Sequence, residues 1–303
     1  MYHNPVMLGE SIAALEIEHD GVYVDATFGG GGHSKELLKY LGASGRLIAI
    51  DQDKEALDND ISDSRLTLVH GNFRYVANYL KYLGITKVSG ILADLGVSSH
   101  HFDSEKRGFS YRLSGRLDMR MNAVSEKDAA FVLNTYSDYE LVRIFKAYGE
   151  FQSARRLVEK IVLARSSKEI ENVDELVEMV HSVVPPNRQI KSLSQVFQAL
   201  RIEVNDELDA LKEFLLATTD LLQDNGRLVV ISYHSLEDRL VKRFMRSGNI
   251  AGTVEKNMFG VPQTPFEVIS RKVIIPTDTE LLENSRSKPA KLRIAQKIDN
   301  GRD

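Results

Sequence analysis

The sequence predicts an α/β fold, a doubly wound parallel sheet that carries an inserted, mostly helical domain. In residues 21–94, four strand-like runs alternate with helix-like runs, and a further strand-like run returns at residues 227–232. Between these two parts the apolar residues recur at helical spacing. Because strands that alternate with helices form parallel sheets, we predict one domain from residues 1–104 and 205–303, with a helical insert at residues 105–204.

The first element is the run Gly21–Ser34, GVYVDATFGGGGHS, in which a buried strand leads into four consecutive glycines and then a helix. Residues 22–24 are β-forming. The glycines at 29–32 have no Cβ that would hold a ligand away from the backbone. A strand, a glycine turn and a helix N-terminus together are typical of a pocket for a nucleotide-like ligand.

The next three strands each end at a residue suited to ligand binding. The run RLIAI ends at Asp51, RLTLVH leads to Phe73, and VSGILADLG ends at Asp94. Ligands of a doubly wound sheet bind at the carboxyl ends of its strands. We therefore expect these three side chains to lie beside the glycine turn.

The remaining elements are predicted from caps and strand-like runs. Asn225-Gly226 predicts the end of a helix before the strand RLVVIS. The last two runs, FEVISRKVII and AKLRIAQKI, predict an antiparallel pair at the sheet edge. Three capping-box spacings predict helix starts, namely Ser125 with Asp128, Ser137 with Glu140, and Ser235 with Asp238.

Composition limits the class of protein. The chain has 303 residues, enough to bury a substantial core, and no cysteine, which excludes disulfides and thiolate metal sites and fits a reducing compartment. No apolar run approaches the roughly 18 residues of a membrane span, and the N-terminus lacks a signal-peptide pattern. We expect a cytoplasmic protein with no membrane partner. The oligomeric state stays open, a homodimer included.

The formal net charge of −4 is unevenly distributed. Residues 1–104 carry 8 Lys/Arg against 14 Asp/Glu, whereas residues 239–303 carry 13 against 7. A basic tail beside an acidic half is compatible with a polyanionic partner. A solvated basic surface without a partner explains the same charge equally well.

Three cofactors commonly use a strand, glycine turn and helix, and the residues separate them. A P-loop for ATP needs Gly-Lys-Ser/Thr after the turn, and Ser34-Lys35-Glu36 stands there instead. A dinucleotide needs G-x-G-x-x-G, and counting from Gly29 the last position is a serine. S-adenosylmethionine needs an acidic residue after the second strand for its ribose and an apolar or aromatic one after the third for its adenine. Asp51 and Phe73 meet those needs.

Each of these residues also has a purely structural explanation. Asp51 could cap the helix-like run DKEALDN, Phe73 could belong to the core, and His33 could simply begin a helix. Their positions in the sequence, taken together, favour the cofactor pocket.

Long motifs in this chain resemble those of the bacterial 16S ribosomal RNA cytosine-N4 methyltransferases. The resemblance rests on VYVDATFGGGGHS, LIAIDQD, HGNF, ILADLGVSS, RGFSYRLSGRLDMRMN, SQVFQALRIEVNDEL and VVISYHSLEDRLVKRFM, and it covers nearly the whole chain. It implies a class I, Rossmann-like methyltransferase domain with S-adenosylmethionine as methyl donor. It also implies a decoding-centre cytosine, position 1402 of 16S ribosomal RNA, as acceptor, in free RNA or in the small ribosomal subunit.

The resemblance also implies the cofactor contacts. In this sequence they fall on Gly31, Gly32, His33, Asp51, Phe73, Asp94 and His101. The family usually has Pro-Gln where this chain has His100-His101. An imidazole still donates or accepts a hydrogen bond, but the turn loses the fixed φ of proline.

Methylation of an amine needs groups that accept its protons and fix its orientation, but it needs no metal, because the sulfonium is already an activated leaving group. Asp94 is the first candidate for the acceptor near the amine. Asp118 in LDMRM and His234 in YHSLEDR follow, as acceptor and proton acceptor. His234 is equally explained as a turn residue.

A candidate RNA surface lies between Lys106 and Arg120. Five Lys/Arg, with Asp118 as the only acid, are interleaved there with two aromatic residues. Basic groups bind phosphates, rings stack on unpaired bases, and a paired cytosine would have to be flipped out. The residues assigned to this surface are Arg107, Phe109, Tyr111, Arg112 and Arg116.

Other functions stay open at this stage. A nicotinamide-dependent oxidoreductase would use Asp51 for the NAD ribose equally well. A ribosome-assembly factor that binds RNA without methyl transfer would fit the altered turn at His100-His101. A small-molecule methyltransferase would leave the basic, aromatic stretch without a purpose.

Overall fold

The structure is a computed structural model that describes residues 5–59, 61–96 and 107–298. The chain divides into two compact units, Met1–Gly96 with Leu208–Asp303, and Val97–Glu207. We call them the sheet unit and the helical unit. The predicted insert, residues 105–204, lies within the range of the helical unit.

The strands of the described residues all belong to the sheet unit. Seven of them form one sheet, and two short ones form a separate hairpin. The strands are β1 Val22–Asp25, β2 Arg46–Asp51, β3 Leu66–His70, β4 Val88–Leu95, β5 Leu222–Ser232, β6 Glu255–Lys256, β7 Pro262–Gln263, β8 Phe266–Val268 and β9 Lys291–Lys297.

The strand order in the large sheet is β3-β2-β1-β4-β5-β9-β8. The pairs from β3 to β5 are parallel, and β9 runs antiparallel to both β5 and β8. The predicted α/β fold with a doubly wound sheet is confirmed, and so is the antiparallel pair at its edge. The chain reverses its direction of winding between β1 and β4, the place where such sheets bind ligands.

Helices occur in both units. Those from α4 to α8 belong to the helical unit. The helices are α1 Leu8–Ala14, α2 Gly32–Leu38, α3 Val76–Tyr82, α4 Ala129–Thr135, α5 Asp138–Ala147, α6 Ala154–Arg165, α7 Val173–Val183, α8 Gln189–Asn205, α9 Glu207–Leu221, α10 Ser235–Ser247 and α11 Asp278–Glu283. Short 3₁₀ helices span Lys54–Asp58, Phe73–Tyr75, Pro186–Arg188 and Ser285–Ser287. None of the described helices is both long and apolar enough to cross a bilayer.

Alternate residues of the parallel strands pack on opposite faces of the sheet. Val24 and Ile91 lie in one apolar cluster, together with side chains from α3, α9 and α10. Their neighbours Tyr23 and Leu92 lie in a second cluster, with side chains from α1 and α2. Because both faces are covered, the strands read as continuous apolar runs, and polar residues are left for the strand ends.

The helical unit has a core of its own. Helices α4 to α8 all contribute buried side chains to a single apolar cluster. The irregular chain before α4 adds Phe109, Leu117 and Met119, each at most 5% exposed. A β-bridge between Arg116 and Asn172 fixes this segment beside the start of α7.

One of the three predicted capping boxes is confirmed. Ser137 and Glu140 form the reciprocal pair at the start of α5. The start predicted at Ser125 was wrong by three residues: α4 is capped by Asp128, whose carboxylate accepts the Phe131 amide at 2.7 Å. The buried residues of that helix begin directly after Asp128, and its carboxylate is as good an acceptor as a serine hydroxyl.

The start predicted at Ser235 was wrong by one residue. The N-cap of α10 is His234, and its capping-box partner is Glu237, which is 4% exposed. Asp238, predicted as the partner of Ser235, instead accepts from Arg293 Nε at 2.7 Å and lies 3.3 Å from Lys291 Nζ. The sequence pattern alone did not separate the two overlapping boxes.

The helix predicted to end at Asn225-Gly226 ends earlier, at Leu221. Leu222 already pairs with Val88 of β4, so strand pairing begins before the expected stop signal. Asn225 has φ +64° and lies inside β5.

The ion pair between Asp238 and Arg293 joins α10 to β9 and predicts a pH-dependent stability. Burial alone would raise the pKa of Asp238, but the hydrogen bond and charge of Arg293, with the charge of Lys291, hold that pKa below its usual value. The resulting stabilisation is present above the unfolded-state pKa of about 3.9 and is lost as the pH falls through the lower folded-state pKa. We expect D238N to lower the free energy of unfolding by about 3 kcal/mol at neutral pH.

Urea denaturation of the wild type and D238N at neutral and acidic pH measures this difference. The two curves should approach each other in acid. An equal stability at neutral pH would contradict the structural role of the pair. D209N is the matched control, because Asp209 is 61% exposed in its pair with Lys212.

Candidate active site

The glycine turn after β1 brings the backbone closer to its neighbours than a side chain would allow. Gly31 precedes α2 with φ +73°, in the left-handed region that favours glycine. A Cβ on Gly31 would lie 2.8 Å from Cδ1 of Ile61, and one on Gly32 would collide with the ring of Pro5. The run of glycines therefore has a local structural cause at these two positions.

Asp25 ties the end of β1 to α2. Its side chain is 1% exposed and accepts from Ser34 Oγ at 2.7 Å and from the Thr27 amide at 3.1 Å. Burial raises the pKa of Asp25, and the charge of His33 and these hydrogen bonds oppose that rise. His33 is 6% exposed, and its Nε2 lies 3.2 Å from the Val6 carbonyl oxygen.

Asp51 holds the glycine turn from the end of β2. Its Oδ2 accepts from the Gly29 amide at 2.7 Å, and its Oδ1 accepts from the Asp53 amide at 2.8 Å. On the far side of the same glycine, Asn59 Nδ2 donates to the Gly29 carbonyl at 3.0 Å. This positioning role of Asp51 was not predicted from the sequence.

Phe73 follows β3 and opens the 3₁₀ turn Phe73–Tyr75, which Asn72 caps by accepting the Arg74 amide at 3.0 Å. Its ring meets the ring of Phe214 edge to face, with 5.2 Å between centroids. The side chain is half-buried. The structure thus fixes one side of the ring against α9 and leaves part of its surface accessible.

Asp94, at the end of β4, accepts a hydrogen bond that the sequence did not predict. The hydroxyl of Tyr233 donates to Asp94 Oδ1 at 2.7 Å, and the Asp94 amide donates to Thr27 Oγ1 at 2.7 Å. Tyr233 follows β5, and the register pairs Asp94 with Ile231. The parallel pairing of β4 with β5 was the signal that would have placed the two side chains together.

Burial raises the pKa of Asp94, and the charge of His33 and the hydrogen bond from Tyr233 offset only part of that rise. Burial, followed by the charge of Asp94, raises the pKa of Tyr233 well above 10. Tyr233 is therefore a protonated donor at neutral pH. It holds one oxygen of a carboxyl group whose proton affinity is higher than that of an exposed aspartate.

The side chain of His234 contacts the first turn of α10, which it caps. Its Nδ1 accepts from the Glu237 amide at 3.4 Å, and its Nε2 lies 3.2 Å from Glu237 Oε1. Glu237 also accepts from the Tyr233 amide at 2.9 Å. These contacts give His234 a structural function, and its catalytic role stays a prediction.

Asp118 belongs to the helical unit and forms a bidentate salt bridge with Arg120. Arg120 Nε donates to Asp118 Oδ1 at 2.8 Å, and Arg120 Nη2 donates to Asp118 Oδ2 at 2.7 Å. Burial alone would raise the pKa of Asp118, but the hydrogen bonds and charge of Arg120 hold it below the usual value. Such a carboxylate accepts hydrogen bonds readily and protons poorly.

The residues predicted to bind RNA divide into exposed and structural ones. Phe109 is 5% exposed and packs in the core of the helical unit, so the expectation that it stacks on a base was wrong. Arg107 donates to the Arg120 carbonyl at 2.9 Å and supports the same segment. Alternation of basic and aromatic residues does not show which ring faces the core.

The other three residues of that surface reach solvent. Tyr111 is half-buried, with its hydroxyl 3.3 Å from Ser194 Oγ. Arg112 is exposed, and its guanidinium lies 6.0 Å from the centroid of the Tyr111 ring. Arg116 is 63% exposed and donates to Asp128 at 2.9 Å. His101, the remaining predicted cofactor contact, lies outside the described residues.

Comparison with known proteins gives a consistent result over the full length. The model of the MraW methylase family matches residues 1–298. Proteins named ribosomal RNA small subunit methyltransferase H from Bacteroides fragilis and Phocaeicola vulgatus are each 52% identical to this chain, over 296 and 297 residues. The match covers 98% of this chain in both cases, with 97% and 98% of the respective relative.

A solved structure, an rRNA methylase from Streptococcus thermophilus, is 11% identical and covers 99% of each chain with a TM-score of 0.40. The full-length family match and the relatives at 52% identity show the family of this chain. This chain belongs to the MraW methylase family and is an S-adenosylmethionine-dependent methyltransferase.

Proposed function

We propose that this chain transfers the methyl group of S-adenosylmethionine to the N4 amine of cytosine 1402 in 16S ribosomal RNA, in the cytoplasm. The observation that supports this best is the placement of the glycine turn, Asp51, Phe73 and Asp94 at the carboxyl ends of four neighbouring parallel strands. The name of the relatives adds ribosomal RNA of the small subunit as the substrate. Since the family transfers methyl groups, the oxidoreductase alternative is not retained.

The residues at the carboxyl ends of these strands fit the cofactor. The Asp51 carboxylate is held at the end of β2 by the amides of Gly29 and Asp53, and it would accept from the ribose hydroxyls of the cofactor. Phe73 presents the free part of its ring to the adenine. Gly31, Gly32 and His33 would hold the amino-acid end. Asp94 and His101 complete the proposed contacts, and the bound cofactor supplies a methyl group activated by a sulfonium.

Asp94 is the proposed acceptor for the cytosine amine. The amine lone pair is delocalised into the ring, and a hydrogen bond from N–H to the carboxylate localises it on nitrogen. The bound cofactor would supply the methyl group to this nitrogen, and Asp94 would take the proton that the nitrogen loses. The raised pKa of Asp94 makes it a stronger base than an exposed aspartate. Asp118 and His234 are proposed as further acceptors for the substrate.

The helical unit is proposed as the substrate domain. Tyr111, Arg112 and Arg116 expose a ring and two cations on its surface, a combination that suits a single-stranded RNA segment. Phe109 and Arg107 support this surface from within.

Methyl transfer to small ribosomal subunits that lack the modification tests the proposed function. We expect labelled methyl from S-adenosylmethionine to appear as N4-methylcytidine at one site, identified by nucleoside mass spectrometry after site mapping. Bound cofactor without any transfer would favour the assembly-factor alternative and contradict the proposal.

Tyr233 is predicted to set the proton affinity of Asp94. In Y233F the hydrogen bond that lowers the pKa of Asp94 is gone, so the acidic limb of the kcat profile should move to higher pH. Loss of a hydrogen bond to a charged group, about 1.5–3 kcal/mol, lowers kcat by roughly 10- to 100-fold at neutral pH. Calorimetry of S-adenosylmethionine binding separates this loss of rate from any change at the proposed cofactor contact of Asp94.

The matched control for Y233F is Y40F, because Tyr40 is 49% exposed. An unshifted pH profile in Y233F would remove Tyr233 from the mechanism. Unfolding curves of both variants show whether any loss of rate reflects stability.

Arg112 is predicted to bind a phosphate. R112E should weaken binding of the ribosomal RNA and reduce the magnitude of the slope of log K against log salt by about 0.7, the value for one contact on a single strand. R156E, an exposed arginine on α6, is the control of equal charge change. Equal salt slopes for R112E and wild type would exclude this contact.

A further inference from the structure

The helical unit contains an open cavity of 820 Å³ that the proposed methyl-transfer chemistry does not use. It lies between the end of α5, the loop into α6, the segment after α7 and the first turns of α8. Its volume is in the range of small-molecule sites, about 300–1,000 Å³. The polar lining residues are Lys146, Glu150, Gln152, Ser153, Arg188, Lys191, Ser192 and Gln195.

The cavity is electropositive. Lys146, Arg188 and Lys191 line it and are exposed, and none of them forms an ion pair with any residue of the described ranges. Glu150 is the only acid among the lining residues. Several other cations of the described helical unit form an ion pair with a carboxylate, as Arg201 does with Glu207. Three cations with no carboxylate partner around one cavity favour an anionic ligand.

The walls of the cavity are held by main-chain contacts. A Cβ on Gly149 would lie 2.5 Å from the Gln195 carbonyl oxygen, so the loop after α5 lies directly on α8. Gln195 Nε2 donates to the Glu150 carbonyl at 3.1 Å, and Glu150 itself has φ +51°. Phe151, 2% exposed, closes the apolar side. The cavity is therefore formed before a ligand binds, which reduces the ordering cost of binding.

The lining suits a nucleotide within a single strand. Cations bind the phosphates, while the amides of Gln152 and Gln195 and the hydroxyl of Ser153 offer both donors and acceptors for a base edge. A protein surface of acidic side chains would match the charge but would not need a cavity of this volume. The observations therefore favour RNA over an acidic protein.

The cavity continues the surface formed by Tyr111 and Arg112. Tyr111 contacts Ser194 of α8, and its ring meets Phe197 with 5.6 Å between centroids. Ser194 lies three residues after Lys191, so the two side chains are neighbours on the helix surface. A strand that stacks on Tyr111 can thus follow α8 into the cavity.

We propose that this cavity binds a nucleotide of the substrate RNA other than the methylated one, with its phosphates on Lys146, Arg188 and Lys191. The identity of the RNA rests on the proposed function, whereas the anion-binding character of the cavity does not. The site anchors a second, unpaired nucleotide of the small-subunit ribosomal RNA to the helical unit.

The test compares K146Q/R188Q/K191Q with R155Q/R156Q/K160Q in the full chain. The control triple removes three positive charges from exposed positions of α6, in the same unit. We expect the cavity triple alone to weaken binding of naked 16S ribosomal RNA roughly tenfold or more at low salt, and to reduce the magnitude of its salt slope by about 2. Its KM for RNA should rise while kcat and the dissociation constant of S-adenosylmethionine stay at wild-type values.

Two results would overturn the proposal. One is equal RNA affinity and salt slope for the cavity triple and the control triple. The other is normal binding to naked RNA with weakened binding to the assembled subunit, which would assign the cavity to a ribosomal protein. The conservative triple K146R/R188K/K191R should bind RNA as the wild type does. If the wild type binds RNA without methylating it, the proposed function fails, and the binding comparison still decides on the cavity.

Discussion

The hydrogen bond from the Gly29 amide to Asp51 is the interaction on which the geometry of the cofactor site, at the carboxyl ends of the parallel strands, depends. It joins the turn after β1 to the end of β2, and Asn59 binds the carbonyl of the same glycine. A carboxylate that is held by backbone amides has a fixed position before a ligand arrives. The glycine turn and Asp51 are therefore preorganised, which lowers the entropic cost of cofactor binding.

The aspartates at the strand ends and the exposed cations of the helical unit suit ligands of opposite charge. The parallel strands end in Asp25, Asp51 and Asp94, and each accepts hydrogen bonds from different donors: a serine hydroxyl, backbone amides and a tyrosine hydroxyl, respectively. An acidic edge suits a cofactor whose sulfonium is positive, and it repels phosphates. In the helical unit, exposed cations without a carboxylate partner, such as Arg112, suit the RNA backbone.

The sequence predicted the fold well because burial on both faces leaves apolar runs with polar ends, a pattern that needs no three-dimensional knowledge. It did not predict the partner of Asp94, because Tyr233 becomes its neighbour only through the pairing of β4 with β5. Phe109 was misassigned because local alternation carries no information on which side faces the core. His234 was missed as a cap because two overlapping boxes differ by one residue, and tertiary contacts of Asp238 select between them.

Arg116 already has an anionic partner, and this changes what an RNA contact there would mean. Its guanidinium binds Asp128, and the same carboxylate caps α4 through the Phe131 amide. A phosphate at this position exchanges one anion for another, so the gain in affinity is the small difference between two ion pairs. Arg116 binds Oδ2 of Asp128, whereas the Phe131 amide binds Oδ1, so such an exchange would leave the N-cap of α4 in place.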